Sequence, residues 1–225
     1  MASSLKKSVK AFAGWCLAPV RPTGSPLDVK SVIVTIVVLG IWLAGVILTA
    51  TRHEFWRDEV RALSLARAAV SPLDLYRLTQ YEGHPILWYL LLYIGKSIFD
   101  TPLVLPTMSI VIAFASVSFF MFYSPFPFLI KVLFIFSAFP FYEYSVMARN
   151  YGISMLLLFI CAKLYRDHTR RPFLLGFVLA LLANTNVHSA IFTCLIAGLW
   201  AWETFVKQKA TPSTRAWFAT DVPFF

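Results

Sequence analysis

Residues 31 to 50 read SVIVTIVVLGIWLAGVILTA, an uncharged stretch that is apolar at almost every position. At about 1.5 Å of rise per residue, a helix of this length covers the roughly 30 Å of a bilayer's hydrocarbon core. A cleaved signal peptide is the competing reading, but its apolar region would be only about 7–15 residues and would end in small residues at a cleavage site. The run ending Leu48-Thr49-Ala50 fits a span better. Lys6, Lys7, Lys10, Arg21 and Lys30 precede it against the single Asp28, so residues 1–30 are expected to remain in the cytoplasm. Within that segment, residues 11–20 are too short and mixed to span and read as lying on the inner surface. Ser25-Pro26-Leu27-Asp28 supplies a helix start ahead of the span.

The rest of the chain agrees with a membrane setting. Of 225 residues, 59% are hydrophobic and 14% charged, against roughly 45–50% and about 25% in soluble domains. Too few polar side chains remain to clothe a water-soluble globule of this size. Lys and Arg number 20 against 11 Asp and Glu, a net charge of +9. In a soluble protein that excess would point to nucleic acid; in a membrane protein it marks cytoplasmic loops, and no nucleic-acid partner is expected. Cys16, Cys161 and Cys194 are far apart and in no CxxC spacing, which argues against a disulfide scaffold and structural zinc.

The other apolar runs are residues 85–99, 103–123, 127–142, 151–165, 172–187 and 189–206. Lys163, Arg166, Arg170 and Arg171, with one Asp167, should face the cytoplasm, as should Lys207 and Lys209. If every run crossed, the first of these clusters would land outside, and the simplest repair is that residues 85–99 do not cross. That run is short, begins His84-Pro85 and contains Gly95 and Lys96, so it reads as a helix at the outer interface with Trp88, Tyr89 and Tyr93 at headgroup depth. The expected fold is therefore all-α: a polytopic bundle of about six spans over residues 31–206, an outer loop at 51–102, Lys131 facing in, and a cytoplasmic tail at 207–225.

Chemistry is expected in the outer loop. It holds six acidic residues (Glu54, Asp58, Glu59, Asp74, Glu82, Asp100) and six basic ones (Arg52, Arg57, Arg61, Arg67, Arg77, Lys96), unlike the basic inner segments. Trp56, Val60, Leu63, Ala66 and Val70 recur at three and four, predicting an amphipathic helix with this face on the membrane and with Asp58 and Arg61 sharing the opposite face. Ser71-Pro72-Leu73-Asp74 predicts a second helix start. In Glu82-Gly83-His84-Pro85, Gly83 permits a tight turn and His84 is set at the membrane rim. Ionisable residues held at such a boundary are functional candidates, with an interfacial hairpin carrying merely solvated charges as the plainer alternative. Glu143 and Arg149 end apolar spans and either pair with each other or face an aqueous cavity. Asn184 to Ser189 is a helix-to-helix turn or a ligand site. His84 and His188 with Glu82 or Glu143 suggest a divalent cation, but without helical HxxxH spacing no metal ligands are assigned.

The order of these segments carries a resemblance. A first span, then Arg57-Asp58-Glu59 opening an outer helix, then Glu82-Gly83-His84-Pro85 with Leu87-Trp88-Tyr89, then Tyr142-Glu143-Tyr144 and Ala148-Arg149-Asn150-Tyr151-Gly152 before another span resembles the GT-C membrane glycosyltransferases. The likeness is to the bacterial branch related to protein O-mannosyltransferases and the lipid A aminoarabinose transferase, and it runs from about residue 31 to residue 206. It implies an inner-membrane enzyme whose site faces the periplasm or exterior. Such an enzyme transfers a sugar, with inversion, from a polyprenyl-phosphate donor to a glycan, lipid or protein hydroxyl. Asp58 would be the catalytic base; Arg149 and Arg57 would serve the departing phosphate; Glu59, Glu82 and His84 would belong to the donor and acceptor pocket. Many relatives carry a second outer acid near the position of Asn150-Tyr151, so either Glu143 would substitute for it or that function would be missing. Chains of that family are commonly longer, so on this resemblance the chain would be a fragment, a truncated gene product or a reduced form. The rival classes are a carrier or flippase lined by Glu143, Arg149 and His188, and an inactive membrane scaffold.

Overall fold

The computed structural model describes Gly14, residues 29–99 and residues 101–209. The expected surface segment at 11–20, the helix start at Ser25–Asp28, Asp100 and the tail beyond residue 209 lie outside the described residues. Among the described residues there is no strand. The helices are α1 (Val29–Ala50), α2 (Arg57–Ala68), α3 (Pro72–Thr79), α4 (Leu87–Ile98), α5 (Val104–Tyr123), α6 (Phe128–Ile135), a π-helical turn (Phe139–Glu143), α7 (Tyr151–Tyr165), α8 (Pro172–Ala183) and α9 (Val187–Lys209).

Three of them are long and apolar enough to cross a membrane: α1 with 22 residues, α5 with 20, and the 20 residues Val187–Val206 of α9. Helices α4, α7 and α8 are apolar but only 12, 15 and 12 residues long, or about 18–22 Å. The 127–142 run does not form one straight helix. Pro140 cannot donate a backbone bond, and its ring excludes the carbonyl four residues back. The chain breaks after Ile135, Ser137 Oγ bonds the Phe134 carbonyl at 2.7 Å, and helix resumes as the π turn, closed by Tyr144 N–H on Phe139 O at 2.8 Å.

Side-chain contacts order the bundle from end to end. Trp42, fully buried on α1, donates its indole N–H to Ile135 O at 2.8 Å. Helices α5 and α7 run side by side in the same direction: a Cβ on Gly152 would sit 3.9 Å from Ala113 Cβ at one end, and Lys163 lies over the Tyr123 ring at 3.6 Å at the other. That second end also holds Lys131, whose Nζ donates to Met121 O at 3.0 Å, and leads into Arg166, Arg170 and Arg171. The opposite end carries the mixed-charge loop at residues 51–99 and the 142–150 segment, so basic and mixed-charge ends are separated by the length of the bundle.

The loop is a packed unit rather than a loose hairpin. Ser71 caps α3 by accepting Asp74 N–H at 3.1 Å, Pro72 opens the helix, and Asp74 accepts Val70 N–H at 3.0 Å, as its Ser-Pro-Leu-Asp start predicts. The buried face of α2 is rotated from the expected one: Glu59, Ala62, Leu63 and Ala66 are inside, whereas Trp56 and Val70 are 60% and 88% exposed. The small Ala62, Ala66 and Ala69 admit Trp88, Tyr89 and Leu92 of α4, and all six share one core. Trp88 and Tyr89 are therefore core residues, not headgroup anchors. Gly95 and Lys96 each have a use in this packing. A Cβ on Gly95 would come within 2.7 Å of Val104, and Lys96 Nζ donates to Arg67 O and Ala69 O at the end of α2.

Candidate functional site

A small cleft at the mixed-charge end is walled by the first turn of α2, the start of α4 and residues 148–150; Asp58, His84, Trp88, Tyr89, Arg149 and Asn150 line it. Asp58 reaches it because it is the second residue of α2, where the helix dipole also favours a carboxylate. His84 is turned toward it by Gly83, whose φ of 71° is comfortable only for glycine. Arg149 is placed by the start of α7. A Cβ on Gly152 would stand 2.6 Å from the Tyr144 carbonyl, so only glycine lets the helix begin this close to the π turn. Asn150 is anchored by its side-chain N–H on Thr185 O at 2.8 Å.

Across the cleft Arg149 Nη2 donates to Asp58 Oδ2 at 3.2 Å, and the guanidinium lies 5.2 Å from the centre of the Tyr151 ring. Asp58 is more than half exposed and Arg149 about a quarter, so water and a solute can reach the pair. The indole N–H of Trp88 is buried in the cleft wall without a hydrogen-bond partner. Burial raises the Tyr89 phenol above its ordinary value, with Glu82 and Asp58 pushing the same way. The cleft thus offers an accessible carboxylate beside a guanidinium, with an imidazole on its rim.

The remaining expected site residues are placed differently. Glu82 stands beside the cleft and accepts a forked pair from Arg61, Nη2 to Oε1 at 2.6 Å and Nε at 3.2 Å. This bond, more than simple charge, holds its carboxyl below the usual range. Arg61 therefore pairs with Glu82, and Asp58 with Arg149. Arg57 is exposed on the outer side of α2 and does not line the cleft. Glu143 is outside the cleft and does not pair with Arg149, whose ion-pair partner is Asp58. His188 is exposed in the first turn of α9. Among the described residues no three His, Cys, Asp or Glu side chains converge as a metal site. Residues 184–186 turn α8 into α9: Asn186 accepts Ser189 N–H at 2.9 Å in the first turn of α9 and donates to Ser154 Oγ of α7 at 2.7 Å.

Glu59 is fully buried. Its carboxylate accepts Trp56 N–H at 2.7 Å, closing the first turn of α2, and Ala148 N–H at 2.6 Å from a segment 89 residues away. The third partner, His53 Nε2 at 3.1 Å, was not singled out by the sequence, and neither was the approach of His53 Nδ1 to Tyr142 Oη at 3.1 Å. A glutamate three residues into a helix is a capping signal, but Trp56 stands where the usual Ser or Thr would draw attention to it. Nothing in the spacing of His53 points to residue 142.

No protein-family model, curated protein or solved structure matches this chain.

Proposed function

We propose that this chain carries an inverting glycosyl-transfer site of the GT-C kind. It would move a sugar from a polyprenyl-phosphate donor to a glycan, lipid or protein hydroxyl on the outer side of a bacterial inner membrane. The supporting observation is the pairing of Asp58 and Arg149, far apart in sequence, across an accessible cleft next to apolar helices.

The chemistry suits one free carboxylate. As the acceptor oxygen bonds to the anomeric carbon from the face opposite the phosphate, its proton passes to Asp58. The bond from that carbon to the phosphate oxygen breaks, and its electron pair leaves with the phosphate. Phosphate is a stable anion, so the general acid that a glycosidase needs for an alkoxide is unnecessary. What the leaving group needs is positive charge placed in advance, the part assigned to Arg149. Asp58 holds Arg149 until a phosphate takes over the guanidinium, which would free the carboxylate for the acceptor. His84 on the rim and Glu82 beside it remain as binding groups without a bond-making step, and Arg57 stands outside the cleft.

Membranes carrying the protein, supplied with a polyprenyl-phosphate sugar and assayed for transferred sugar, test this. Asp58→Asn should reduce transfer by at least a hundredfold, in line with loss of a general base. Unchanged transfer would remove Asp58 from the reaction.

A further inference from the structure

We propose that Glu59 and His53 form a clasp that positions the Asp58–Arg149 pair, so that the buried carboxylate acts through its exposed neighbour rather than on a substrate; this rests on reading that pair as the site. The residues form two rungs between the same segments. Asp58 meets Arg149 at 3.2 Å, and one residue on in one segment and one back in the other, Glu59 meets Ala148 N–H at 2.6 Å. An exposed ion pair contributes little and cannot by itself hold two segments in register. A buried carboxylate can, because leaving its backbone donors unsatisfied is costly.

The clasp gathers four segments: the exit from α1 through His53, the first turn of α2 through Trp56 N–H, the π turn through Tyr142, and residues 147–149 through Ala148 N–H. Its proton arrangement follows from the partners. Trp56 and Ala148 can only donate, so both carboxyl oxygens of Glu59 act as acceptors, and with that carboxyl ionised His53 Nε2 bonds it by carrying a hydrogen. In neutral His53, Nδ1 is then an acceptor, and Tyr142 donates its hydroxyl proton to it. Glu59→Gln keeps the shape but replaces one acceptor oxygen by an NH2 group facing N–H donors.

Deuterium exchange of the full chain in nanodiscs reads the clasp without a substrate. Glu59→Gln should speed exchange of the Ala148 amide at least tenfold, whereas Asp58→Asn should leave it near the wild-type rate. Unchanged protection in Glu59→Gln, or equal loss in both, overturns the clasp. Should Glu59→Gln fail to fold, His53→Gln and Tyr142→Phe decide. Ala148 exchange must rise in the first, and the His53 ring nitrogen resonances must move in the second; absence of either change overturns the proposal. A failed transfer reading would leave these exchange results intact. A working transfer site would add one more signature, a fall in kcat in His53→Gln with KM held.

Discussion

Helices α4 and α9 both begin near the cleft end of the bundle and are both strongly apolar, yet they use that apolarity in opposite ways. In α4, Trp88, Tyr89, Leu92 and Gly95 fall on one stripe and are buried against α2 and α5. In α9 only 6% of the spanning window is inside the protein, and Leu195, Leu199 and Trp202 are each more than half exposed. Overall hydropathy does not separate the two. A stripe that repeats at helical spacing is answered by another helix, whereas apolarity spread around the whole circumference suits surroundings that are apolar on every side, as lipid is. The site sits on the first kind of helix, because side chains can be held within tenths of an ångström only where protein packs on protein.

Truncation at matched positions would break this contrast most sharply. Leu92 is fully buried, and Leu92→Ala should cost about 2–5 kcal/mol in unfolding measured in detergent. Leu199→Ala, on the open side of α9, should stay within about 0.5 kcal/mol of wild type. Equal costs would mean that α9 has a protein partner in the folded state. A smaller effect is expected from Lys96→Met, which keeps the apolar stem but removes two bonds to the carbonyls ending α2. About 1–2 kcal/mol should be lost, with faster exchange of amides in α2 and no change in α9.

Much of the architecture was legible from hydropathy and caps. The span at 31–50, the helix start at Ser71, the turn at Gly83 and the break before α7 follow from residues whose local chemistry admits few alternatives. The sequence also identified Asp58, His84 and Arg149, which share a cleft. What it could not show is partner choice. Arg149 lies six residues from Glu143, yet it pairs with Asp58; Asp58 and Arg61 lie one helical turn apart, yet each finds a partner elsewhere. Such pairings depend on how α2, α4 and α7 pack, and that packing is decided by alanines and glycines, residues with no periodic signal of their own. Glu59 shows the same limit. Its acidity suggested a pocket residue beside Asp58, but a quarter turn of the helix takes it from the cleft into the core.

The Arg61–Glu82 pair gives the mildest and most specific test, because it joins α2 to the turn that carries His84 while its Arg61 side stays largely in solvent. The hydrogen bond from Arg61 holds the Glu82 carboxyl below its ordinary value in the folded chain. The unfolded chain therefore takes up the proton first as pH falls. The stabilisation is complete above the unfolded value of about 4.3 and fades as pH drops through the lower folded value. Arg61→Gln removes the bond and with it this dependence. Comparing unfolding midpoints of the two proteins from pH 7 to pH 3 cancels every carboxylate they share. The wild type should be slightly more stable at pH 7, and the gap should close in acid as Glu82 is neutralised. A gap of the same size at pH 3 would show that the guanidinium contributes through the packing of its stem along α2 rather than through the carboxylate. The turn bearing His84 would then be held by Gly83 and the start of α4 alone.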